Sequence, residues 1–234
     1  MSKEKVAASS EFYGNKMLSI DKKQVEFCHR SIQPFFQGKT ALEIGPAIGI
    51  MTEMLRRDFE KLFIIDGSEK LLKTIPDYNN VVKVASMIED YYPDMKFDTI
   101  IMSHVLEHIE NPVLVLKNIR EWLSDNGVFI VGVPNAKSIH RLVACKMGLL
   151  DSIYTLNERD IELGHYRVYD MKMLKEHVIE AGFKVIDEIG VFLKPLSYQQ
   201  IEDDWSDDMI EGFYEVGKSM PDHCAEIFLF CKAK

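Results

Sequence analysis

The chain has 234 residues, 47% hydrophobic and 28% charged, with four cysteines and a formal net charge of −9. That length suits one domain, and the balance of apolar and charged residues excludes an unfolded chain or a collagen-like repeat. The negative charge would repel a phosphate backbone, so no nucleic-acid partner is expected.

No apolar run approaches the roughly 20 residues of a membrane helix, and the start, MSKEKVAASSEF, lacks the apolar core of a secretory signal. The expectation is a cytoplasmic protein with no membrane partner. Cys28, Cys145, Cys224 and Cys231 lie far apart with no C-x-x-C pair, which reads as free thiols rather than a zinc site or a disulfide framework.

In chain order, residues 1–38 are mixed in polarity and helix-compatible, with Tyr13, Phe27, Phe35 and Phe36 as the large apolar groups, and read as a lid. TALEI (40–44), KLFII (61–65), VVKVA (81–85), FDTIIM (97–102) and GVFIVGV (127–133) read as buried strands. MTEMLRRDF (51–59), SEKLLKTI (68–75) and PVLVLKNIREWL (112–123) read as helices, the last stopped by Asp125-Asn126-Gly127. Strands alternating with helices imply βαβ units, hence a parallel sheet covered on both faces with its ligand at the carboxyl edge.

After the fifth strand the rhythm breaks. Residues 138–170 are rich in His, Arg and Tyr and too long for an ordinary connection, which reads as a functional insertion. A helix over 171–182, a strand over 183–193, an acidic excursion and a last strand over 225–233 complete the chain. The whole is one domain, with 39–134 as the ligand-binding core, 135–170 on the substrate side and 171–234 finishing the sheet.

The most informative segment is Glu43-Ile44-Gly45-Pro46-Ala47-Ile48-Gly49, a strand entering a Gly-bearing turn and then a helix. Glycines admit a ligand close to the backbone, and the helix start offers free N–H donors. Ala47 and Ile50 stand where the dinucleotide pattern G-x-G-x-x-G needs its second and third glycines, which disfavours a pyrophosphate ligand. Asp66 closes the second strand 21 residues after Gly45, where a carboxylate can accept both hydroxyls of a ribose. An ordinary turn with an Asp cap explains each feature singly but not their spacing.

On these residues the chain resembles the class I S-adenosylmethionine-dependent methyltransferases, well over residues 38–134 and loosely beyond. Glu43, Gly45 and Gly49 look like the family's first motif, and Asp66-Gly67-Ser68 like its ribose-binding segment. VASMIED resembles the stretch flanking the adenine, which matches Ser86, Met87 and Ile88. FDTIIMSHVLEHIENP (97–112) resembles the fourth-strand motif of a small-molecule branch that includes ubiquinone-pathway and sugar methyltransferases.

The resemblance implies a Rossmann-like, mostly parallel seven-stranded sheet with helices on both faces. It also implies S-adenosyl-L-methionine as donor, S-adenosyl-L-homocysteine as product, and a small-molecule acceptor. The implied cofactor-binding set is Glu43, Gly45, Pro46, Ala47, Gly49, Asp66, Gly67, Ser68, Ser86, Met87, Ile88, Ser103 and His104, with Tyr13 closing the pocket. Pro46 removes one donor, and Ala47 would cost on the order of 1 kcal/mol at positive φ, so a variant loop path is expected.

A sulfonium is already a good leaving group, so the enzyme mainly aligns nucleophile, methyl and sulfur and excludes water. A hydroxyl acceptor, on a sugar, nucleotide-linked metabolite or ring compound, also needs a base. His104, His108 and His165 are the candidates, with His104 or His108 favoured. Amine acceptors and a non-catalytic cofactor-binding relative remain open, as does a monomer or a homodimer.

His104-Val105-Leu106-Glu107-His108 also spells H-x-x-E-H, the pattern of a zinc peptidase. That reading needs both histidines in one long helix, against a strand running up to His104 and Asn111-Pro112 soon after, so no metal site is expected. Arg141, Arg159 and Arg167 could grip an anionic acceptor or pair with neighbouring acids. The acidic run Glu202 to Glu211 could attract a cationic one or be solvated.

Overall fold

The structure, a computed structural model, describes residues 18–234; the expectation for Tyr13 lies outside the described residues. The strands are β1 (Thr40–Ile44), β2 (Lys61–Asp66), β3 (Val81–Ala85), β4 (Phe97–Ser103), β5 (Leu123–Pro134), β6 (Phe183–Val191) and β7 (Glu226–Ala233). They form one sheet in the order β3-β2-β1-β4-β5-β7-β6. β1 to β5 are parallel, and β7 runs antiparallel between β5 and β6. The winding reverses between β1 and β4, which opens a crevice at their carboxyl ends.

Register brings the site together. Ile44 pairs with Ile65 and with Met102, and Asp66 pairs with Ala85. Residues 45–47, 66–67, 86–88 and 103–104 therefore leave the sheet along one edge.

The helices are α1 (Ser19–Ile32), α2 (Ile50–Asp58), α3 (Glu69–Thr74), α4 (Pro112–Glu121), α5 (Ile139–Lys146), α6 (Glu158–Glu162), α7 (Met171–Glu180), α8 (Tyr198–Asp204) and α9 (Asp207–Gly217). One face of the sheet packs Ile100, Phe129 and Leu229 against Val115, Leu116 and Ile119 of α4 and Leu174 and Val178 of α7. The other packs against α1, α2, α3, α8 and α9. Trp122 is core, as the aliphatic stripe of 113–123 implies.

Three expectations change. First, Asp125-Asn126-Gly127 does not end α4. The buried Trp122 closes α4 and Leu123 already begins the strand, with the Phe97 N–H donating to the Trp122 carbonyl at 2.8 Å, and the three turn residues fall at an irregularity between Phe97 and Thr99.

Second, residues 19–38 are a layer of the core rather than a lid. Ile20, Phe27, Cys28 and Ile32 recur at helical spacing and are all buried. The Phe27 ring stacks on Tyr214 at 4.3 Å, Phe35 stacks on Phe230 at 3.7 Å, and Phe36 lies 5.0 Å from Phe59.

Third, the acidic run is solvated at Asp203, Asp204, Asp207 and Asp208, as one of the two readings has it, but it also anchors α1. Glu202 accepts from the Ser19 and Ile20 N–H groups at the start of α1, while Asp207 pairs with Lys23 and Glu211 with Arg30. The four cysteines are free thiols, as expected.

Candidate functional site

A cavity of about 1060 Å³ lies along the carboxyl edge. That is the upper end of the roughly 300–1,000 Å³ typical of ligand pockets and leaves space for two small molecules side by side.

Its first half surrounds the turn after β1. Gly45 has φ 73° and donates to the Ile65 carbonyl at 2.9 Å. A Cβ there would stand 2.4 Å from Val105 Cγ2, so only glycine lets this turn lie against the segment that follows β4. Gly49 (φ 85°) opens α2, where a Cβ would meet Ile75 at 2.9 Å.

Ala47 takes φ 49°. The expected variant path is not followed, and an alanine occupies the left-handed region at a cost on the order of 1–2 kcal/mol. A hydrogen bond holds it there: the Ala47 N–H donates to the Asp66 carboxylate, which also accepts from the Ser68 N–H at 2.7 Å. Burial raises the Asp66 carboxyl above its ordinary value, and these two donors oppose that shift. The turn after residue 44 and the acid at 66 thus face one another across a single hydrogen bond.

Beside them Glu43 is buried and accepts from Thr52 Oγ1 at 2.5 Å. Burial pushes its carboxyl up to about 8, opposed by the Thr52 bond and reinforced by Asp66. The Ser86 N–H donates to the Asp66 carbonyl at 3.1 Å, which draws Ser86, Met87 and Ile88 over the same cavity.

The second half is polar and begins at His104. This residue turns off β4 with φ 56°, and its N–H donates to the Gly132 carbonyl at 3.0 Å. Its Nε2 stands 3.2 Å from Glu226 Oε2 and its Nδ1 3.8 Å from Glu107 Oε1. Burial and then the Arg159 guanidinium hold it down to about 4, so the imidazole is neutral at neutral pH.

Glu226 is aimed by a chain of contacts in which the Tyr198 hydroxyl donates to Gln24 at 2.7 Å and the Gln24 amide donates to Glu226 Oε1. Lys194, also buried, sets its ammonium 3.4 Å from the centre of the Tyr198 ring. Burial raises the Glu226 carboxyl and lowers the Lys194 ammonium, and their mutual attraction opposes both shifts.

The insertion forms the far wall through α5, α6 and the strap 163–170. Its arginines serve the chain itself. Arg141 is buried and bonds Asp160 and the Ile153 and Thr155 carbonyls, Arg159 pairs with Asp21, and Arg167 donates to the Ile109 and Glu110 carbonyls. His165 and His108 meet edge to face with centroids 4.6 Å apart. The peptidase geometry is absent, because His104 directly follows a strand and only Leu106–His108 form a single 3-10 turn.

A family model described as a methyltransferase domain matches residues 20–188. The chain belongs to that family. It is an S-adenosylmethionine-dependent methyltransferase, and the sheet above is the Rossmann-like fold of its relatives.

The methyltransferase is 26% identical to a ubiquinone biosynthesis O-methyltransferase of Rickettsia felis over 194 residues, which is 80% of this chain and 76% of that protein. It is 24% identical to (S)-coclaurine N-methyltransferase of Papaver somniferum over 137 residues, 53% of this chain and 38% of that protein. Among solved structures it resembles the N-methyltransferase NodS of Bradyrhizobium japonicum in complex with S-adenosyl-L-homocysteine. That likeness has a TM-score of 0.57 and 14% identity, covering 91% of this chain and 86% of that one.

The methyltransferase brings Glu43, Gly45, Pro46, Ala47, Asp66 and Gly67 to the cavity, together with Ser86, Met87, Ile88, Ser103 and the three candidate histidines. Two expected residues stand behind it. Ser68 turns its hydroxyl to the Leu71 N–H and caps α3, and Gly49 acts through its backbone at the start of α2. Gln24, Lys194, Tyr198 and Glu226 were missed. Glu226 did leave a signal, as a carboxylate inside the otherwise apolar AEIFLFC, whereas nothing local marks Gln24 or Tyr198.

Proposed function

We propose that the enzyme methylates a hydroxyl of a small acceptor, a sugar, a nucleotide-linked metabolite or a ring compound, bound in the polar half of the cavity. The methionine end of the donor lies against residues 43–49, Asp66 takes the ribose hydroxyls, and Ser86 to Ile88 flank the adenine. Ser103 and His104 border the methyl group.

The acceptor oxygen attacks the methyl carbon, the carbon–sulfur bond breaks with its electron pair going to sulfur, and the hydroxyl proton passes to the His104–Glu226 pair. The observation that carries this reading is that pair. The neutral His104 imidazole and the buried Glu226 carboxyl stand 3.2 Å apart on the cavity wall, beyond the strand end where the donor half stops. A base held in place is what a hydroxyl requires and a sulfonium does not. The O-methyltransferase relative, matched over most of its length, supports the same class, and the net charge of −9 favours a small acceptor over a nucleic acid.

A second reading, N-methylation of a small amine, is favoured by the names of two similar proteins; the same pair would then take the ammonium proton. The test is methyl transfer from labelled S-adenosylmethionine to panels of hydroxyl and amine acceptors. The proposal expects a hydroxyl product whose kcat falls on the order of 100-fold or more in His104→Ala with S-adenosylhomocysteine affinity retained. Transfer to amines alone would overturn it.

A further inference from the structure

We infer that Glu107, His108 and His165 form a binding site for one divalent cation of the zinc, manganese or cobalt type on the wall of the acceptor half. The sequence offered Glu107 and His108 within H-x-x-E-H but not this trio, because the third donor comes from the insertion, 57 residues beyond His108.

The structure brings these segments together by backbone contacts. The Tyr166 N–H donates to the Glu107 carbonyl at 2.9 Å, and Arg167 bonds the Ile109 and Glu110 carbonyls at 2.5 and 2.9 Å. One ligand atom from each of the three side chains then lies within 4.8 Å of the others. Donors around one ion with bonds of about 2.1 Å stand roughly 3–4 Å apart, so small side-chain rotations close the site.

Two independent features point to a cation there. Glu107 is 1% exposed, and neither carboxylate oxygen accepts a hydrogen bond from another residue; such a group is costly to bury without a compensating charge. His165 is oriented as a metal ligand is. Its Nδ1 stands 3.2 Å from Asp160 Oδ1, and Asp160 is itself fixed by Arg141 at 3.1 Å and the Asn157 N–H at 3.0 Å. With Nδ1–H donating to the carboxylate, the Nε2 lone pair is left for an ion, the outer-shell arrangement that fixes tautomer and ring direction in metal sites.

Two imidazoles and one carboxylate favour zinc, manganese or cobalt over magnesium or calcium, which take oxygen. Three protein ligands leave positions open toward the cavity. If the acceptor is a hydroxyl, which rests on the reading above, an ion there would bind its oxygen and make the proton easier to lose.

The test uses the tag-free full chain, stripped with chelator and titrated with Zn²⁺, Mn²⁺ and Co²⁺ by calorimetry, with the Co²⁺ visible spectrum and Mn²⁺ resonance as second readouts. The proposal expects one ion per chain, lost in Glu107→Gln and His165→Ala. Asp160→Asn should weaken binding 10- to 100-fold, with S-adenosylhomocysteine binding reporting that each variant is folded. No stoichiometric ion, or binding indifferent to Glu107→Gln and His165→Ala, overturns the site. An ion bound by an enzyme that methylates only amines would overturn the hydroxyl reading and leave the site standing.

Discussion

Ala47 shows how a single residue can record a compromise. Its φ of 49° belongs to glycine, yet its N–H reaches the Asp66 carboxylate from that conformation. Ala47→Gly relieves strain of on the order of 1–2 kcal/mol and loses part of that to the more flexible unfolded chain. The expected outcome is a gain of about 0.5–1 kcal/mol in urea unfolding, with no loss of cofactor affinity.

Glu43 gives a pH signature. Its folded carboxyl is raised to about 8 from an ordinary 4.5, chiefly by burial. A carboxyl raised on folding favours the folded state fully below its unfolded value, and that advantage is lost as pH climbs through the folded value. The wild type should therefore lose stability relative to Glu43→Gln between about pH 4.5 and 8. Melting curves of both proteins at several pH values check it, and parallel curves across that window would contradict the assignment.

At the scale of elements, α1 is the clearest case of context overriding sequence. Its polar composition and terminal position suggest a lid, but its apolar face is filled by Phe192, Tyr214 and the sheet, and its basic face by the acids of α8 and α9. The two kinds of contact differ in weight. Phe27→Ala should cost about 3–5 kcal/mol by emptying a packed site, whereas Lys23→Ala should cost less than about 1 kcal/mol because its partner Asp207 is largely exposed. Denaturant unfolding of the two variants separates them, and equal losses would mean that charge rather than packing holds the helix.

The five parallel strands and the turn after β1 were legible because each is a local pattern, an apolar run or a glycine before a helix. The start of β5 was not, because Asp125-Asn126-Gly127 reads as a stop while the pairing of Phe97 with Leu123 decides where the strand begins. The polar half of the site was least legible. Gln24, Lys194 and Glu226 are distant in sequence and meet only through β7 returning beside β5.

For the whole molecule, the proposed function divides one sheet edge in two, the ends of β1, β2 and β3 holding the donor and the end of β4, with the returning β7 and the insertion, the acceptor. The division depends on Asp66 and the 45–49 turn gripping one adenosyl group, and titration of S-adenosylhomocysteine into wild type and Asp66→Ala by calorimetry tests it most directly. The account predicts one molecule bound per chain and an affinity reduced by about 1–3 kcal/mol, roughly 5- to 150-fold, in the variant with its fold intact. Equal affinity in the two proteins, or no binding to the wild type, would contradict it.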